Sequence, residues 1–293
     1  MPGTSELRPR RSVLYMPAAN ARALEKAKTL PADALIFDLE DAVAPDAKAA
    51  ARAQACGAAK AGGYGKREIV IRANGLDTAW GRDDIAAAAQ SGADAILIPK
   101  VESAAQVNAA EAAMARAGAP ATMQLWCMME TPLGILRAEE VARSSPRMTV
   151  LVAGTSDLTK DLRARHTRDR LPMQASLGLL LLAGRAYGKT VLDGVHLDLD
   201  DEAGFVAQCE QGLAMGFDGK TLIHPKQVEP CNAVFAPKPE EVALAKRIIE
   251  AFAEAERAGK GVVLVDGKLI ENLHVENARR TLAIAEAIAA RAG

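Results

Sequence analysis

Short apolar runs rich in β-branched residues or leucine alternate along this chain with longer alanine-rich segments of helical period. That is the pattern of a parallel sheet whose strands are joined by crossover helices. Eight such runs stand at 12–16, 34–39, 68–72, 95–99, 124–129, 149–153, 190–193 and 218–223. The spacing predicts helices between them at 21–30, 47–59, 83–91, 104–117, 135–144, 174–187 and 202–215. Eight βα units are the count of a (β/α)8 TIM barrel. The alternative is an open doubly wound sheet, because a linear pattern does not show closure. After the eighth run, Pro237 and Pro239 open a long helix to Arg257, followed by a glycine-bearing stretch, a short strand at 262–265 and a last helix at 272–290. The expected organisation is an α/β barrel over 11–236, carrying the catalytic groups, with a C-terminal helical appendage over 237–293 that is not a separate globular domain.

Composition adds a few exclusions. With 36 Lys+Arg against 37 Asp+Glu, the formal charge is −1, so no global field points to nucleic acid or an anionic membrane. The four cysteines form no C-x-x-C pair, which suits a reducing, cytoplasmic setting. No apolar run approaches the roughly 18 residues of a membrane span, and the N-terminus lacks the apolar stretch of a secretory signal.

Barrel chemistry is assembled at the C-terminal strand ends. Here those ends carry Asp38, Glu40 and Asp41, then Arg72 and Asn74, Lys100 and Glu102, Glu130, Asp157, Asp193, and His224 with Lys226. The expectation is a ring of alternating carboxylates and cations on one face. Glu130 and Asp157 fall after neighbouring strands, and a pair of carboxylates suits Mg²⁺, or Mn²⁺, which leaves its other positions to water and substrate. Each also has a structural alternative as a helix cap. The four histidines show no H-x-x-x-H pairing, so zinc fits worse. Arg72, always charged, is placed to hold an oxyanion, or to pair with Asp38 or Glu40. The Gly62-Gly63-Tyr64-Gly65-Lys66 stretch precedes a strand and reads as a connector, and His224 reads as a structural turn residue.

Several motifs in order carry a family resemblance: Arg11-Ser12-Val13-Leu14-Tyr15-Met16-Pro17, Phe37-Asp38-Leu39-Glu40-Asp41, Ile71-Arg72-Ala73-Asn74-Gly75, Ile98-Pro99-Lys100-Val101-Glu102, Met129-Glu130-Thr131-Pro132, Asp193-Gly194-Val195, and Gly216 through Ile223-His224-Pro225. Together they resemble the citrate lyase β-subunit-like branch of the HpcH/HpaI aldolase family. Its members include malyl-CoA, β-methylmalyl-CoA and citramalyl-CoA lyases, a citryl-CoA lyase subunit and a malyl-CoA thioesterase. The resemblance implies Mg²⁺ at Glu130 and Asp157, Arg72 at the reacting carbonyl, and coenzyme A, as part of the substrate, near Tyr15 and Lys26; the expected catalytic residues are Arg72, Glu271, Glu40 and Asp38. It also implies a homotrimer, or a hexamer of paired trimers, in which the C-terminal segment of a neighbouring subunit closes the site with an acidic residue. Glu271 stands at that position, where lyases of the family usually carry Asp. The first loop, Pro17-Ala18-Ala19-Asn20, departs from the family pattern, leaving Arg22 to supply its cation. The stretch from Asn74 to Arg82 and Glu271-Asn272-Leu273-His274 looks closest to the thioesterase type. The expected activity is hydrolysis of a small β-hydroxyacyl-CoA such as (3S)-malyl-CoA. Retro-Claisen cleavage by a malyl-CoA or citramalyl-CoA lyase and a CoA-independent pyruvate aldolase are the alternatives.

Overall fold

The runs form strands β1 (Ser12–Pro17), β2 (Ala34–Asp38), β3 (Glu68–Arg72), β4 (Ala95–Ile98), β5 (Gln124–Met129), β6 (Met148–Ala153), β7 (Thr190–Asp193) and β8 (Gly219–Leu222). In a computed structural model that describes residues 8–292, they pair in parallel in sequence order, and β1 pairs with β8. The sheet is therefore a closed barrel, and the open-sheet alternative falls. Its helices are α1 (Ala21–Ala27), α2 (Lys48–Ala61), α3 (Gly81–Ala89), α4 (Ala104–Arg116), α5 (Pro132–Leu136), α6 (Ala138–Ala142), α7 (Thr155–Asp161), α8 (Gln174–Ala186), α9 (Glu202–Met215) and α10 (Val228–Phe235). Asn20, Ser103, Thr131 and Asp201 each accept a backbone N–H of the next turn, which sets where α1, α4, α5 and α9 begin. The one helix expected over 135–144 is two short ones. The Thr131 cap and Pro132 move its start forward, and the chain breaks at Arg137, with φ −107° and ψ 17°.

Strand alternation fills the barrel. Val13, Ala34, Ile36, Val70, Ala95, Leu97, Trp126, Met128, Val150, Val152 and Leu192 form one buried cluster, with Tyr15 packed against it. The same period of two carries Asp38, Arg72 and Glu130 one step past this apolar layer, to the C-terminal mouth. In the other direction it places Glu68, Gln124 and Thr190 at the opposite end. There Arg10 bonds Glu68 at 2.6 and 2.8 Å, Gln124 at 3.1 Å and Thr190 at 3.1 Å, and lies 5.1 Å from the Trp126 ring centre. That lower network is a closed structural plug, which leaves chemistry to the upper end.

The alternation also corrects one expectation. Leu192 faces the barrel interior, so Asp193 faces the helix layer and is fully buried, away from the mouth. It pairs there with Lys220 at 2.8 Å and Arg170 at 2.7 Å, and Arg170 also bonds Gln211 of α9. His224 has the turn role expected of it: its side chain accepts the Lys226 N–H and opens a short 3-10 turn.

Contacts divide the chain into a unit at 10–233 and another that contains 234–292. In the second, α11 (Pro239–Arg257), strands β9 (Val263–Val265) and β10 (Lys268–Ile270), and α12 (Asn272–Ala292) surround Phe252, Val265, Ile270 and Val275. The strand β10 was not expected. It pairs antiparallel with β9 through Asp266 (φ 49°) and Gly267 (φ 75°), the two positive φ values a tight hairpin turn demands.

Candidate active site at the barrel mouth

A cavity of about 480 Å³ opens at the mouth, lined by Tyr15, Asp38, Arg72, Glu130, Gly154 and Asp157 among others. Glu130 follows β5 and is 3% exposed. Its Oε1 accepts the Lys100 N–H at 2.8 Å, and the described residues donate no hydrogen bond to Oε2. Burial pushes its carboxyl up to about 7, and nearby Glu40 adds to the shift against the lowering by the Lys100 N–H, Arg72 and the Lys100 ammonium. Asp157 lies in the first turn of α7, which follows the neighbouring strand β6, and Met129 pairs with Ala153 across that strand boundary. Neither carboxylate caps a helix. Thr131 caps α5, and Gly154 occupies the cap position of α7.

Gly154 is needed for space. A Cβ built there falls 2.3 Å from Glu130 Cβ and 2.6 Å from its Oε2. Gly154→Ala is therefore expected to displace the Glu130 carboxylate and weaken Mg²⁺ binding by about tenfold to a hundredfold, the range seen when ligand supports are lost. Isothermal titration with Mg²⁺ checks this, and an unchanged affinity would show that Glu130 does not depend on the gap.

Arg72 is clamped from both sides. Its Nε and Nη2 donate to the two Asp38 oxygens at 2.6 and 2.7 Å. Its Nη1 lies 2.7 Å from Glu40 Oε2, an ion-pair contact off the hydrogen-bonding direction. The guanidinium also sits 5.0 Å from the Tyr15 ring centre, while the Tyr15 hydroxyl donates to Met128 Sδ at 3.2 Å. Asp38 uses both oxygens on Arg72 and is thus a positioning residue. The two Asp38 bonds take two of the five guanidinium N–H donors. Glu40 is held up by its own environment: burial raises its pKa, opposed by Arg72 and Lys100. Its loop is fixed from behind by buried Lys48, which donates to the Leu39 and Glu40 carbonyls at 2.8 and 2.6 Å.

The structure thus brings Tyr15, Asp38, Arg72, Glu130 and Asp157 to one cavity. Glu40 lines a larger one beside it, of about 760 Å³, with Lys48, Trp80 and Lys100, and Asp41 borders both. Arg22 and Lys26 are exposed on α1 and line neither. Glu271 belongs to the other unit; it is exposed, and its N–H donates to His274 Nδ1 at 3.1 Å. Sequence reasoning places Lys100 on the rim as one of its cations without a specific contact, and assigns no role to Lys48 or Gly154. The donor set fits a hard divalent cation: one buried carboxylate has an undonated oxygen, and a second stands in the helix turn that follows the adjacent strand. Among the described residues, no group of three or more His, Cys, Asp or Glu is placed to hold a metal, so such an ion would keep water or substrate ligands.

Comparison with known proteins agrees with this geometry. Residues 11–225 match the sequence profile of the HpcH/HpaI aldolase/citrate lyase family. A (3S)-malyl-CoA thioesterase of Cereibacter sphaeroides is 56% identical over 282 residues, 96% of each chain. The citrate lyase subunit beta of Escherichia coli is 36% identical over 284 residues, 95% of this chain and 94% of that one. The solved structure of the protein CitE from Mycobacterium tuberculosis, in complex with magnesium, acetoacetate and coenzyme A, superposes with a TM-score of 0.75 at 29% identity, covering 94% of this chain and 97% of that one. A closed eight-stranded barrel, paired carboxylates beside a clamped arginine, and these matches along nearly the whole chain together show that the protein belongs to the HpcH/HpaI aldolase/citrate lyase family, in its citrate lyase β-subunit-like branch.

Proposed function

We propose that this protein is a Mg²⁺-dependent enzyme that hydrolyses the thioester of a small β-hydroxyacyl-CoA, (3S)-malyl-CoA being the substrate of first choice. The observation that carries the reading is the 56% identity to a (3S)-malyl-CoA thioesterase across 96% of both chains. The undonated oxygen of Glu130, Oε2, beside Gly154 supports the metal part of it.

Glu130 and Asp157 are the residues that would hold the ion. When bound, it supplies Lewis-acid polarisation of substrate oxygens. Arg72, rigid in its Asp38 clamp, presents its remaining N–H donors to the thioester oxygen as negative charge develops there. Water adds to the thioester carbon, the C–S bond breaks, and coenzyme A leaves as the thiol with free malate as the other product. Glu271 is the group assigned to orient that water and take its proton, acting from the C-terminal segment of a neighbouring subunit in a homotrimer or hexamer. Tyr15, Arg22 and Lys26 are assigned to coenzyme A. Glu40 keeps Arg72 and Lys100 in place. A cytoplasmic location suits the four free cysteines, and no helix of the described residues is long and apolar enough to cross a membrane.

A second reading, carbon–carbon cleavage to acetyl-CoA and glyoxylate, is favoured by the 36% identity to a citrate lyase subunit. One assay separates the two. Purified protein with malyl-CoA and Mg²⁺ is expected to release free thiol with no glyoxylate trapped by phenylhydrazine. Glyoxylate in proportion to substrate consumed would establish the lyase, and no turnover of malyl-CoA or citramalyl-CoA would end the CoA assignment.

A further inference from the structure

Lys100 is the residue that touches three of the carboxylates at the mouth by two different routes. Its backbone N–H donates to Glu130 Oε1 at 2.8 Å. Its ammonium lies 2.5 Å from Glu40 Oε1 and 3.8 Å from Asp157 Oδ2. The residue sits just past the end of β4 with φ 49°, a left-handed conformation that long L side chains rarely adopt. Backbone strain of this kind persists where the surroundings over-determine it, and it clusters at sites that need exact geometry. Here the two ends of one strained residue are directed at the two carboxylates assigned to the cation and at the one that steadies Arg72.

We propose that Lys100 is the positioning residue of the cation site: its backbone aims Glu130, while its ammonium is a built-in counter-ion that an arriving divalent cation must displace from Asp157. The inference rests on the metal reading of Glu130 and Asp157. It makes Lys100 a competitor of the ion as well as an organiser of its ligands, so the side chain sets how tightly the metal is held. Lys160 also reaches Asp157, at 3.0 Å, but it is 65% exposed against 47% for Lys100, and only Lys100 is also held by the buried Glu40, so solvent screens Lys160 more. Removing the Lys100 charge takes a cation away from Asp157 and leaves Glu40 with one fewer partner. Both changes favour a divalent ion.

The test is Mn²⁺ binding to the full chain at pH 8, followed by electron paramagnetic resonance of the free ion, which needs no turnover. Lys100→Met is expected to lower the Mn²⁺ Kd by about tenfold. Lys100→Arg, which keeps the charge, and Lys160→Met are each expected to stay within about threefold of the parent. Lys100→Gln serves as a second neutral variant if the Met variant melts early. A neutral variant that melts like the parent but binds Mn²⁺ equally or more weakly overturns the counter-ion role, since a purely structural lysine would show that result. Glu130→Gln is the separate control. If it binds Mn²⁺ as the parent does, the metal reading itself is wrong, whatever the Lys100 variants show.

Discussion

Replacing Glu130 by Gln is expected to abolish activity and, in the same protein, to raise its melting temperature at pH 8 in the absence of divalent ions. Loss of the buried ligand removes several kcal/mol of metal-borne stabilisation of the transition state, about a thousandfold or more in kcat. The gain in stability follows from the sign of the pKa shift. Burial raises the Glu130 carboxyl from 4.5 to about 7, so the folded state binds its proton more tightly than the unfolded chain does. Stability from this group is thus full below about pH 4.5 and is lost as pH rises toward 7. At pH 8 the ionised group costs on the order of 3 kcal/mol. Gln carries no charge and escapes that cost, which corresponds to a rise on the order of 5 °C for a chain of this size. The difference should shrink toward pH 4.5, and saturating Mg²⁺ should restore the parent by binding only the folded state. Thermal melts with and without a chelator across that range check it. A Gln variant less stable than the parent at pH 8 would mean that the carboxylate is already satisfied by the protein and is not waiting for a cation.

The second large effect is expected at Arg72. Arg72→Lys keeps a positive charge but cannot reproduce the fork that grips both Asp38 oxygens. The kcat for malyl-CoA should fall about a hundredfold to a thousandfold, with KM changed far less, because the missing donor matters mainly when charge builds on the thioester oxygen. Arg72→Ala is expected to be worse in a different way. It strands Asp38, 3% exposed, leaves Glu40, 8% exposed, with Lys100 as its remaining cation, and should cost about 3–5 kcal/mol of stability. Steady-state kinetics on the Lys variant with a melt on the Ala variant separate the two roles. A Lys variant with normal kcat would confine Arg72 to holding the rim together.

Much of this site could be read from residue order alone. The strand runs were legible because β-branched and leucine-rich segments alternate with alanine-rich helices, and most strand limits fall within a residue of the observed ones. Arg72 and Glu130 were legible because each continues the inward row of an apolar strand by one step. The same rule, counted from Leu192, turns Asp193 toward the helices and away from the mouth. The hairpin of β9 and β10 also left its signal, an Asp-Gly pair between two apolar stretches. Other features had no local signature. The left-handed backbone of Lys100 and the clearance at Gly154 exist because β4, β5 and β6 meet at one mouth, and their partners lie tens of residues away in sequence. Lys48 reads as an ordinary helix-start lysine until the fold buries it beneath the Glu40 loop.

The most direct test of the account is crystallographic. Crystals grown with Mn²⁺ are expected to show a single strong anomalous peak at the barrel mouth, about 2.1–2.2 Å from one oxygen each of Glu130 and Asp157, with the remaining ligands water or substrate. A mouth free of anomalous signal at saturating Mn²⁺, or a peak held by other side chains, would contradict it.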